Sequence, residues 1–354
     1  MASNDPKYTE AFFQEWLDQN QKQLINSGKL PTMDPFHQEL FQVACQHVQD
    51  CQKALTVAQQ KRDDIQKHNP IDQDALNKAN QAVETATSNL TQSQQYVQDQ
   101  SLPLLDAWDS CPMHNDTHKL LLVTYVLIQA TPKGLADYCA HATTDDLATA
   151  LVQLLQDPVQ YPLLESMVLA GGPKGGHYGQ ALELYHALEH VMLDPKDALW
   201  QRLRLAVALE FATPILAFGQ KVIYIDPIHR YCHYQDAWRF GELDPVFGTV
   251  FGVWELRMVI NSVGPDDQLS WCREMMRNYR PDHMALKDQW RYCRIVRTDV
   301  FYTGQPNWDP TRPLDFPQIL SGGGECGPRA WMGRFACRAF GIPVWGVQEP
   351  GTSK

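Results

Sequence analysis

With 354 residues, 44% of them hydrophobic, the chain is long enough for two or three domains and a sizeable core. Thirty Lys and Arg stand against 41 Asp and Glu, a net charge of −11, so little in the composition would neutralise a run of phosphates and nucleic acid is excluded as a general partner. The longest apolar stretch, Leu120 to Ile128, is far short of a bilayer span, and nine cysteines, odd in number and without a C-x-x-C spacing, argue against a disulfide framework or a zinc knuckle.

The amino-terminal residues carry no basic region followed by an apolar run, so no secretory signal is expected. Reduced thiols in a reducing, cytoplasmic compartment follow from the cysteine pattern. Thr9 to Ile25 predicts an amphipathic helix with Phe12, Phe13, Trp16 and Leu17 on its apolar side, and LPTMDP (30–35) ends it. Residues 1–36 are thus a helix and linker.

The next segment, 37–100, has the clearest period in the chain. Phe41, Ala44, Val48, Cys51, Leu55, Ala58, Arg62 and Ile65 recur three and four apart, a heptad seam. After HNPID (68–72) the seam restarts as Leu76, Ala79, Val83, Ala86, Leu90, Ser93 and Val97. Two arms of similar length joined by a proline turn predict an antiparallel coiled-coil hairpin. It carries no chemistry and suits protein contacts or a spacer role.

Residues 101–290 read as an all-α region, with helical patterns at 118–130, 145–156, 180–192, 198–211, 246–261 and 265–278, and one short strand-like run at Lys221 to Ile225. Pairs such as Asp157-Pro158, Asp194-Pro195 and Asp226-Pro227 punctuate them. HALEH (186–190) matches the H-x-x-E-H spacing of some zinc peptidases, but a site needs a third ligand at unknown distance and a pattern fixing three positions arises easily by chance, so no metal is assigned. AGGPKGGHYGQ (170–180) lacks the Gly-Lys-Ser/Thr ending of a phosphate loop and no strand precedes it; a sharp connection is the better reading, and no cofactor is implied. HRYCHYQDAWRF (229–240) fits aromatic packing between helices, with a substrate-lining role as the alternative.

From Arg291 the character changes. RYCRIVRTDVFY (291–302) alternates like a strand, and a proline-rich passage (306–317) leads to SGGGECGPRAWMGRFACRAFGIPVWGV (321–347). Here Cys326 follows a run of glycines and opens a predicted helix that ends at Gly341, with Pro328 in the first turn and Gly341 suited to a positive-φ stop. IPVWGV (342–347) then reads as a strand. Cys326, Ala330, Gly333, Cys337 and Phe340 share one helix face, and its small members would let the helix approach a sheet closely. A thiol at a helix N-terminus meets unpaired N–H groups and the positive end of the macrodipole, which is how a cysteine becomes a nucleophile. Gly322, Gly323 and Gly324 would leave the sulfur little steric cover.

This pattern resembles the transglutaminase-like cysteine enzymes, whose signature is a Gly-x-Cys-Gly opening a helix, then a Gly-Ile-Pro turn into a strand. The matching residues are Gly324, Cys326, Gly327, Ala330, Arg338, Ala339, Phe340, Gly341, Ile342, Pro343 and Val344. The resemblance implies an α+β segment, 291–354, holding the first part of such a core. It also implies Cys326 as the nucleophile in acyl transfer or hydrolysis of a protein or peptide amide, with the backbone N–H groups of Cys326 and Gly327 as oxyanion donors and Trp308 and Trp331 lining the pocket. Arg329 and Arg338 are expected as structural ion-pair partners.

In that family a histidine and then an aspartate or asparagine follow the cysteine on later strands. The 28 residues after Cys326 contain neither His nor Asp, and the last histidine is His283. The expectation is therefore a truncated core, inactive or incomplete in this chain. A non-catalytic helical scaffold or binding protein is the alternative, and a cysteine protease using the upstream His283 a lesser one. The fold expected throughout is mostly α, with strands confined to the carboxyl-terminal segment.

Overall fold

The computed structural model describes residues 7–26, 35–67, 73–109, 116–142, 144–249, 251–286 and 291–346. The predicted breaks at 30–34 and 68–72, and the segment beyond Gly346, lie outside them. The protein is mostly helical and divides into two compact units, Met1–His141 and Ala142–Lys354. Among the described residues no helix is long and apolar enough to cross a membrane.

The first unit holds α1 (Glu10–Asn26), α2 (Pro35–Gln66), α3 (Gln73–Gln100), α4 (Leu102–Asp109), α5 (Asp116–Ala130) and α6 (Pro132–His141). α2 and α3 pack along the heptad seam: Ala44, Leu55, Ala79, Leu90, Ser93 and Val97 are buried, and Cys51 Sγ lies 3.3 Å from Ser93 Oγ across the pair. Small residues in the seam permit this close approach, while the Gln, Asn and Lys positions face water. α1 buries Phe13, Leu17 and Leu24 and packs on α5 and α6. The α5–α6 corner turns on Thr131, which has φ +60 and accepts the Gly134 N–H at its Oγ1 (3.0 Å).

The second unit is built from α7 (Asp145–Gln156), α8 (Tyr161–Leu169), α9 (Tyr178–Glu189), α10 (Ala198–Glu210), α11 (Pro227–Arg239), α12 (Val253–Ile260), α13 (Asp266–Tyr279), α14 (Pro281–Ala285), α15 (Ile295–Thr298), α16 (Phe316–Gly322) and α17 (Cys326–Ala339). α10 is buried almost all round and sits among α9, α11 and α12. The aromatic run 229–240 is α11: Asp226 caps it through the Ile228 and His229 amides, and Tyr231 and Tyr234 are fully buried packing residues.

Four buried arginines tie this unit together, and each meets a carboxylate: Arg204 with Glu189, Arg230 with Asp266, Arg257 with Glu210 and Arg273 with Glu242. Their other donors reach backbone carbonyls, together with Met192 Sδ for Arg204 and His233 Nε2 and Ser270 Oγ for Arg273; Arg230 alone serves Ile260 O, Ser262 O and Gly264 O. A buried guanidinium is tolerated when its donors and its charge are both met. The glycine-rich connection 170–180 is stitched this way, with Arg257 Nη1 donating to Ala170 O and Gly172 O (both 2.6 Å), and Gly171, Gly172, Gly175 and Gly176 all at positive φ.

The strands expected from the sequence do not form among the described residues. Tyr302 and Gly324 make only an isolated parallel bridge, and Leu216 and Tyr224 an isolated antiparallel one. Within 291–302 a turn runs into the short helix α15, and 342–346 is coil. The described part of the carboxyl-terminal segment, 291–346, is therefore helix and loop, not α+β. The reason is packing: Tyr292 stacks on Phe340 (ring centroids 4.2 Å apart), so the apolar positions of this stretch are met by α17 and no sheet edge is offered to them. Likewise the carbonyl of Val344 accepts from Arg338 Nη2 (2.9 Å) in place of a neighbouring strand.

Candidate functional site around Cys326

α17 begins at Cys326 and ends as the sequence indicates. Gly341, at φ +76, donates to Arg338 O (2.9 Å) and Ile342 to Cys337 O (3.0 Å), the paired bonds of a Schellman stop. Glu325 precedes the helix in extended backbone without a side-chain cap. Arg329 N donates to Glu325 O, Pro328 has no N–H, and no backbone carbonyl among the described residues accepts from Cys326 or Gly327. Two amides at the helix start are thus left open beside the sulfur.

Cys326 is the one exposed thiol among the described cysteines. Burial pushes the Cys139 thiol up to about 11 and Cys272 up to about 12. Cys337 is also raised, first by its hydrogen bond with Cys293 and then by burial.

The glycines before Cys326 serve packing. Gly323 has φ +72, and a Cβ there would collide with Phe301 O; a Cβ on Gly322 would meet Asn307 O. The closeness lets two chain segments exchange backbone hydrogen bonds, from Gly324 N to Phe301 O (2.9 Å), Thr303 N to Gly324 O (3.3 Å) and Asn307 N to Gly322 O (3.1 Å). Trp308 Nε1 closes the loop by donating to Gly323 O (3.0 Å). Trp308 therefore lies against the turn that presents Cys326.

Trp331 is 39% exposed, and its ring comes within 4.0 Å of where a Gly327 Cβ would stand. It also walls a cavity of about 320 Å³ with Phe218, Ser262, Val263, Phe316, Arg334, Phe335 and Arg338. Sequence reasoning named Trp331 but missed this cavity, because Phe218 and Val263 are remote in the chain and follow no shared spacing.

On the buried side of α17, Gly333 faces Val296 Cγ2 and Cys293 Cβ. Gly333 thus admits the 291–298 segment where a sheet was expected, whereas Cys326 and Ala330, on the same spacing, are exposed. Arg329 donates to Val296 O (2.9 Å) and lies over the Tyr302 ring, while Arg338 donates to Val344 O; among the described residues both serve carbonyls, not carboxylates.

His283, the upstream candidate base, is 1% exposed, with its Nε2 3.3 Å from Thr298 Oγ1, and no hydrogen bond joins it to Cys326. His186 and His190 are exposed, and Glu189 is engaged by Arg204. No group of three His, Cys, Asp or Glu among the described residues is arranged to hold a metal ion.

Comparison with known proteins adds no relative: no family model, no curated protein and no solved structure matches this chain.

Proposed function

We propose that Cys326 is the thiol nucleophile of an acyl-transfer site of the transglutaminase-like type, acting on a protein or peptide amide. One observation carries the reading: the exposed thiol opens a helix whose first two amides, Cys326 and Gly327, have no acceptor among the described residues. In the reaction the sulfur attacks the amide carbonyl, and the oxyanion that forms is stabilised by those N–H groups. The amine leaves with a proton, and the thioester passes its acyl group to water or to another amine. The group that takes the thiol proton is not supplied by a described hydrogen bond, so the described residues hold the nucleophile and oxyanion half of the unit. Loss of one member of such a unit removes several orders of magnitude in rate.

The absence of any hydrogen bond from a described imidazole or carboxylate to Cys326 favours a second reading, a non-catalytic helical binding protein in which the α2–α3 hairpin supplies contacts. Thiol labelling separates the two. The native chain is exposed to iodoacetamide near neutral pH and the modified cysteines are mapped over time, beside the denatured chain. Alkylation of Cys326 first, and faster than in the denatured chain, supports the acyl-transfer reading. A native rate no higher than the denatured rate defeats it and leaves the binding protein.

A further inference from the structure

The cavity beside Trp331 carries two guanidinium groups, on half-buried side chains of α17. Arg334 and Arg338 lie one helical turn apart on α17 and both line it. Each of the four buried arginines has a carboxylate partner, but among the described residues no carboxylate pairs with Arg334 or Arg338. Arg334 makes no hydrogen bond there either. Arg338 reaches Val344 O and, weakly, Asn261 O (3.5 Å), and its Nε is buried without an acceptor. Burial, with the Arg334 charge adding to it and Tyr234 and Glu210 opposing it, lowers the Arg338 guanidinium to about 10. Two adjacent, partly desolvated cations with no paired carboxylate favour an anion that joins them.

Apart from Ser262, the rest of the wall is apolar and mostly aromatic. Phe218 stacks on Phe316 (4.6 Å between centroids), Phe316 stacks on Phe335 (3.7 Å), and Trp331 stands edge-on to Phe218 (5.4 Å). A volume of about 320 Å³ is at the small end of ligand cavities, enough for a single ring.

We infer that this cavity binds a small aromatic carboxylate, its ring against Phe218 and Trp331 and its carboxylate held by Arg334 and Arg338. A guanidinium suits this task because its planar fork meets both carboxylate oxygens. The inference does not depend on the chemistry of Cys326.

The full chain is titrated with phenylacetate, with 2-phenylethanol as the uncharged counterpart and with inorganic phosphate, followed by calorimetry and tryptophan fluorescence. Phenylacetate is expected to bind saturably, and 2-phenylethanol at least about tenfold more weakly, the worth of one charge-assisted hydrogen bond. Phosphate, lacking the ring, is expected to bind more weakly than phenylacetate. Arg334→Gln should lower phenylacetate affinity about tenfold without lowering the unfolding midpoint of the ligand-free chain. Arg334→Lys, which keeps the charge without the fork, should fall between, and it replaces the Gln variant if that one does not fold. Cys326→Ser should bind as the parent does, whatever the outcome of thiol labelling. The inference is overturned if phenylacetate does not saturate, if 2-phenylethanol or phosphate binds as tightly, or if the Arg334 variants keep the parent affinity.

Discussion

Gly323 and Gly327 flank Cys326 and carry opposite expectations on replacement by alanine. Gly323 sits at φ +72 and ψ −161, a region closed to side chains, and its Cβ would strike Phe301 O. Holding a non-glycine residue there costs about 1–3 kcal/mol, and displacing the 301–308 segment adds about 1–3 kcal/mol more. Gly323→Ala should therefore lose about 2–6 kcal/mol. Gly327 lies in the first turn of α17, with nothing nearer its missing Cβ than Trp331 at 4.0 Å. Gly327→Ala should gain about 0.4–1 kcal/mol by restricting the unfolded chain. Urea unfolding of the full chain measures both. Eight of the ten tryptophans stand at Trp200 or later, so their fluorescence reports the carboxyl-terminal unit. With a denaturant slope of about 2 kcal/mol/M, the Gly323 variant should lose about 1–3 M in midpoint. A Gly323→Ala midpoint within about 0.25 M of the parent, or a Gly327→Ala loss above about 1 kcal/mol, would refute the assignment of the glycine run to packing.

Two further perturbations test the interior. His233 accepts from Arg273 Nη1 (3.1 Å), and burial, then the charges of Arg273 and Arg230, lower its pKa to about 3. Because the folded value lies below the unfolded value of about 6.5, this contribution is fully present above that pH and is lost as pH falls toward 3, with a slope approaching about 1.4 kcal/mol per pH unit. His233→Gln should flatten the pH 6.5–4.5 part of the stability curve relative to the parent; equal slopes would show that His233 is not held neutral. Asp299 acts in a lower window: burial alone would raise it, but hydrogen bonds from Arg280 and Thr298 hold it below the ordinary carboxylate range. Arg230→Met leaves Asp266 and three carbonyls without their donor and should cost about 3–5 kcal/mol. Asp266→Asn should cost less, since Asp266 is 26% exposed. Unfolding by urea ranks the two, and Arg230→Met proving no worse would contradict the network.

Several helix positions were readable from local signals. The 145–156 pattern matches α7, capped by Thr144 and followed by Pro158, and the heptad seam matches the buried line of α2 and α3. The 246–261 pattern, by contrast, breaks into a 3-10 turn at Pro245–Gly248 and α12, because Gly252 begins a new helix. α16 was hidden in the proline-rich passage, although Asp315 caps it and Pro317 stands in its first turn. Leu102–His141 belongs with the hairpin, and the segment from Arg291 with the helices before it.

By itself, then, the sequence determined the local features of the candidate site: a cysteine at the start of a helix, the glycine stop at Gly341 and the one-faced spacing along α17. These depend on neighbours a few residues away, through backbone dihedrals and the 3.6-residue period. Only the tertiary structure decided what those features face. An alternating stretch becomes a strand only when another strand accepts its hydrogen bonds, and here α17 takes the apolar side of 291–302 instead. The glycines before Cys326 fit a segment twenty residues upstream, and the unmatched charges of Arg334 and Arg338 emerge only when Phe218, Phe316 and Trp331 are brought around them.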